Sequence, residues 1–99
     1  CWDDHLADPH LPATLGARMR RAGFRVLRVE IVPMLSPRWQ PVSYAAGIMK
    51  TIRGYAAANG ERHGLSKEEV QAWYDDQLRL AERGEFFFSL NRYAFLATR

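Results

Sequence analysis

Hydrophobic residues return along this chain with two different periods, and the switches between them mark five elements. From 11 to 22, Leu11, Leu15, Met19 and Ala22 recur at three- and four-residue spacing while Arg18 and Arg21 take the other side, which predicts a helix. Gly23 follows, the residue that adopts a left-handed terminating turn at least cost. In "FRVLRVEIV", 24–32, the period drops to two: Leu27, Val29 and Ile31 alternate with Arg28 and Glu30, which predicts a strand that Pro33 stops. "PMLSPRWQP" holds three of the five prolines and reads as an irregular connection. Helical spacing resumes over 42–58, where Ala45, Ile48, Met49, Ile52, Tyr55 and Ala56 make one stripe. "NGERHG" reads as a glycine-bounded loop. A third helix opens at Ser66 with Glu69 three residues on, the pattern of a capping box. Val70, Trp73, Tyr74, Gln77 and Ala81 share a face, and Gly84 ends the helix.

The closing element, 86–97 in "GEFFFSLNRYAFLATR", reads as a strand apolar on both sides. Phe86, Phe88 and Leu90 lie on one face; Phe87, Tyr93 and Phe95 lie on the other. Such a strand is expected in the middle of a sheet with helices above and below. The order is helix, strand, helix, helix, strand, an α/β pattern. Two strands alone make a marginal sheet, and an apolar strand with an open edge needs a neighbour. The expectation is therefore a C-terminal part of a larger sheet protein, with dimerisation through the last strand as the rival.

Length fits one domain at most. Composition adds little: 47% hydrophobic and 25% charged residues are ordinary for a globular chain and argue against disorder. No apolar run approaches the ~20 residues of a membrane helix, so no membrane partner is expected. No signal peptide is visible in the acidic start "CWDDHLADPH". The single cysteine, Cys1, cannot form an internal disulfide, which fits a reducing, cytoplasmic setting. A chain that opens on Cys rather than Met is expected to be trimmed or to be a piece of something longer. The net charge of +3 is concentrated in "ARMRRAGFRVLR", where Arg18, Arg20, Arg21, Arg25 and Arg28 occur without an acid. A solvated surface is the plain reading. A nucleic-acid interface, the sharper one, would be expected to interleave aromatics or extend further along one face.

"LGARMRRAGFRVLRVEIVP" and, after two helices, "ERGEFFFSLNRYAFLATR" resemble the end of class I S-adenosylmethionine-dependent methyltransferases. The resemblance lies in Ala22-Gly23-Phe24 leading into a strand, and in Gly84, Phe87-Phe88-Ser89 and the run from Tyr93 to Arg99. It implies the C-terminal part of a seven-stranded Rossmann-like sheet: helix, sixth strand, a two-helix insert at 33–84, and a closing antiparallel strand between the fifth and sixth. It implies S-adenosyl-L-methionine as cofactor and the remainder of the methyltransferase domain as partner. The family's glycine-rich cofactor turn and ribose-binding acid have no counterpart: glycines fall at 16, 23, 47, 54, 60, 64 and 84, with no G-x-G. No cofactor-binding residue is carried by this chain, and the 99 residues alone are expected to be inactive.

Among candidate groups, Cys1, Asp3, Asp4, His5, Asp8 and His10 are metal-ligand types, but their spacing fits no compact signature, and no metal site is expected. In the resembled fold the segment around His10 lies near the methyl acceptor. There an imidazole would be suited to orient or deprotonate a substrate. Asp75 and Asp76 are adjacent on a helix and diverge. The stretch "MLSPRWQPVSYAAGIMKTIRGYAA" carries Met34, Trp39, Tyr44, Met49 and Tyr55. These would cover the sheet or, with Trp39 and Tyr44 foremost, wall an apolar small-molecule acceptor. Methyl transfer depends mainly on alignment of the acceptor, so it demands no conspicuous catalytic residue.

Overall fold

The computed structural model describes all 99 residues. In chain order it contains a 3-10 turn (Trp2–His5), α1 (Leu11–Arg21), β1 (Arg25–Ser36), α2 (Tyr44–Asn59), a second 3-10 turn (Gly60–His63), α3 (Lys67–Glu82) and β2 (Phe88–Thr98). It is a mixed α/β chain in which β1 and β2 form a two-stranded antiparallel sheet. No helix is long and apolar enough to cross a membrane.

The chain divides into two compact units. Cys1–Ala7 and Leu35–Phe88 make a helical unit; Asp8–Met34 and Ser89–Arg99 make a sheet unit. In the helical unit, α2 and α3 enclose a core of Ala45, Met49, Tyr74 and Phe86, with Trp39, Leu78, Ala81 and Phe88 packed around it. Each large apolar side chain buried there contributes about 2 kcal/mol from removal from water. Ser43 caps α2 by accepting from the Ala46 N–H at 3.1 Å. The expected box on α3 is formed: Ser66 Oγ accepts from the Glu69 N–H (3.1 Å), and Glu69 Oε2 accepts from the Ser66 N–H (2.9 Å).

The sheet unit begins with α1, which carries Pro12 in its first turn, where the absent N–H leaves no helical bond unmade. It ends as the sequence predicts. Gly23 has φ 90°, its N–H reaches the Arg20 carbonyl (3.0 Å), and the Phe24 N–H reaches back to Met19 (2.9 Å). These paired bonds satisfy two of the last carbonyls and aim the chain into β1. The same arrangement ends α3, with Gly84 at φ 70° and Glu85 bonded to Leu80 (2.8 Å).

Three expectations change. Pro33 does not stop β1, which runs on to Ser36 and takes in the first four residues of the supposedly irregular stretch. In a two-stranded sheet both strands are edges, and an edge strand tolerates a proline where its nitrogen faces the unpaired side. The closing strand starts at Phe88 rather than at 86. Phe86 instead enters the helical core at 3% exposure, while Phe87 lies in water. Finally, β2 is not covered on two sides: its one neighbour is β1, and no residue of either strand is fully buried. The loop "NGERHG" contains a short 3-10 turn closed by left-handed Gly64.

Candidate functional site

The residues singled out from sequence fall in both units. In the sheet unit, His10 precedes α1 as its N-cap, and its side chain caps nothing. Its backbone N–H donates to Asp8 Oδ1 (3.0 Å), and Arg18 donates to Asp8 Oδ2 (2.6 Å). The His10 N–H, followed by the Arg18 guanidinium, holds the Asp8 carboxyl below the usual carboxylate range. The arginine cluster thus finds acids just outside its own window: Arg18 on Asp8, and Arg28 on Glu30 at 3.1 Å. Arg20, Arg21 and Arg25 have no carboxylate partner.

In the helical unit, Trp39 is half-buried and meets Phe86 edge-on, with ring centroids 5.1 Å apart. It borders a shallow hollow of about 310 Å³ with Pro37, Arg38, Ala81, Gly84 and Phe86. Tyr44 is the first residue of α2, is exposed, and does not line that hollow. Trp39 is therefore a packing residue with an accessible flank, and Tyr44 is a surface residue near it in sequence.

The polar residues of the first ten positions do not converge. The His5 ring lies between Trp2 and Tyr55, at centroid distances of 4.8 and 4.9 Å. Asp4 Oδ2 meets His63 Nε2 at 2.5 Å, and Asp8 belongs to Arg18. No group of three or more His, Cys, Asp or Glu side chains is placed to hold a metal ion. Asp75 accepts from Gln71 (2.9 Å), and Asp76 pairs with Arg79 one turn on, so the two carboxylates serve separate surface bonds.

Sequence reasoning missed an open apolar cleft. It has a volume of about 340 Å³, lies within the helical unit, and is lined by Cys1, Trp2, Ile52, Ala56, Leu65, Glu69, Val70 and Trp73. Ile52 and Ala56 belong to the predicted stripe of α2, and Val70 and Trp73 to that of α3. Trp2 completes the wall, and the signal that could have pointed to it was an indole standing alone in an acidic segment. Its position is fixed by the edge-on contact to Tyr55 (6.0 Å) and by the Asp4–His63 bond two residues later. The lining's carboxylate, Glu69, is held ionised by the Ser66 backbone N–H and then by the Ser66 hydroxyl, both of which lower its pKa.

No family model, curated protein or solved structure matches this chain.

Proposed function

We propose that the chain is the C-terminal part of a class I S-adenosylmethionine-dependent methyltransferase, supplying the last two strands of the sheet and an acceptor-side helical insert. The observation that carries the reading is the uncovered sheet. Leu27, Val29 and Ile31 alternate as a strand face should, yet each remains more than half exposed, at 52, 51 and 57%. A two-stranded ribbon with such a face needs further strands or helices against it. The antiparallel pairing of β2 with β1, and the Ala22-Gly23-Phe24 turn that feeds β1, agree with what the family resemblance implies for the sixth and closing strands. The helices between those strands are where an acceptor wall would be built, and α2 and α3 supply it with a mostly apolar interior.

In this reading the residues that bind S-adenosyl-L-methionine lie outside the 99. They comprise a strand, a glycine-rich turn and an acid about 20 positions on. The deciding experiment is paired calorimetry: the cofactor titrated into the 99-residue chain, and into the same chain joined to its upstream reading frame. Micromolar binding is expected of the longer protein alone. Binding by the 99 residues, or none by the longer protein, overturns the reading.

The open edges of the sheet favour one rival, a small α+β module that dimerises through β2. It requires a discrete dimer of the 99-residue chain in sedimentation, with no cofactor affinity in any longer form.

A further inference from the structure

We infer that the arginine-rich end of the sheet unit, where α1 ends, β1 begins and β2 stops, is a docking surface for the phosphate backbone of a nucleic acid. The inference goes beyond the methyltransferase reading and does not rest on it, because every residue involved belongs to the sheet unit.

Charge is unevenly divided between the two units. The sheet unit carries seven arginines, no lysine and two acids, a formal side-chain charge of +5; the helical unit carries seven basic and nine acidic residues. Both acids of the sheet unit are already engaged, Asp8 by Arg18 and Glu30 by Arg28. Topology gathers four of the other five arginines at one end. Arg20 and Arg21 close α1, Arg25 opens β1 just after the Gly23 turn, and Arg99 follows the last residue of β2. The Arg99 guanidinium lies over the Phe24 ring, 5.2 Å from its centroid, which puts the end of β2 at the same place.

That contact extends the basic window from the far end of the chain and sets an aromatic within it. Phe95 does the same beside Arg20: a Cβ added at Gly16 would stand within 3.8 Å of both the Arg20 guanidinium and the Phe95 ring. All four arginines are exposed, and none pairs with a carboxylate side chain. A guanidinium resting on a ring rather than on an acid is partly ordered yet keeps its charge and its N–H donors. Those are the groups that phosphate oxygens bind. A phosphodiester chain repeats its charge at every residue, so it can meet donors spread over a helix end and two strand ends without a matching pocket. Phe24 and Phe95 are half-buried, so the surface offers charge rather than open rings, and binding without sequence preference is expected.

The experiment titrates the 99-residue chain into a short fluorescein-labelled oligothymidylate and follows anisotropy across a salt series. With four phosphate contacts, affinity should fall about fiftyfold between about 50 and 200 mM salt. Arg21→Ser with Arg25→Ser should weaken binding at least about tenfold at the low-salt end and roughly halve the slope of log affinity against log salt. Arg99→Ser, outside every helix and strand, should lower the slope by about a quarter without touching α1 or β1. Arg38→Ser with Lys50→Ser removes the same charge from exposed positions of the helical unit and should leave the slope unchanged. No binding at low salt, affinity indifferent to salt, or equal losses in the two double variants overturns the surface. Displacement by an oligoglutamate of equal charge as readily as by unlabelled oligothymidylate overturns the assignment to nucleic acid and points to an acidic protein segment.

Discussion

The helical unit and the sheet unit have similar access to apolar residues but use them differently. The helical unit forms a core, with Ala45, Ala46, Met49, Val70, Tyr74 and Phe86 each at most 6% exposed, although Leu35, Val42, Tyr44 and Phe87 remain in water. The sheet unit has Leu27, Val29, Ile31, Val32, Tyr93 and Leu96, all 40% exposed or more, and buries no residue fully. The contrast is geometric. Two amphipathic helices can turn their stripes toward each other and exclude water between them. A two-stranded ribbon has two faces and one helix, so a side stays wet whatever the sequence. The helical unit supplies its own core, whereas the sheet's hydrophobicity exceeds what its own unit can cover.

Substitution can break that contrast. Phe86→Ala should lower stability by about 3 kcal/mol, through lost burial and the cavity left behind, measured as a shift in urea midpoint. Ile31→Ala, at 57% exposure, should stay within about 0.5 kcal/mol. Equal costs would mean that the sheet is as well covered as the helices. A smaller effect applies alike to both units. Gly23→Ala and Gly84→Ala should each cost roughly 1–2 kcal/mol, because a side chain is forced to positive φ at the end of α1 or α3. Ser66→Ala should cost about 1 kcal/mol by removing the acceptor for the Glu69 N–H.

Acid sharpens the comparison further. Glu69 in one unit and Asp8 in the other both have carboxyl pKa values below their ordinary range. A carboxylate whose folded pKa is depressed contributes stability above its unfolded pKa and loses it as pH falls through the folded value. Glu69→Gln should flatten the acid limb of unfolding followed on α3, and Asp8→Asn that followed on α1. Each should leave the other unit's limb unchanged. The smallest effect on stability is expected from Leu27→Ser with Ile31→Ser. The change should stay near zero while light scattering falls, because a wet apolar face is removed.

What could be read from sequence was local. Ser66 with Glu69, and glycine at 23 and 84, declared themselves because each motif is satisfied within a few residues of its own backbone. The stripes of α2 and α3 were legible because their period matches the helix. Failures occurred where the outcome depended on partners distant in the chain. Pro33 reads as a stop unless the strand is known to be an edge. Phe86 reads as the first residue of a strand until a helical core is there to take it. Trp39 and Tyr44 were chosen for their place in an irregular stretch, but which tryptophans face a cleft depends on how α2, α3 and the first turn pack. For that reason Trp2, and the cleft it shares with Trp73 of the α3 stripe, were not legible in the sequence.

Antiparallel β1 and β2 are consecutive strands, and the whole segment between Ser36 and Phe88 is their connection. Topologically it is an enlarged hairpin loop, and lengthening such a loop raises the closure cost only logarithmically. The segment can therefore be exchanged as a cassette. Grafts of other helical hairpins between these two positions should preserve strand pairing while replacing the chemistry that the connection carries.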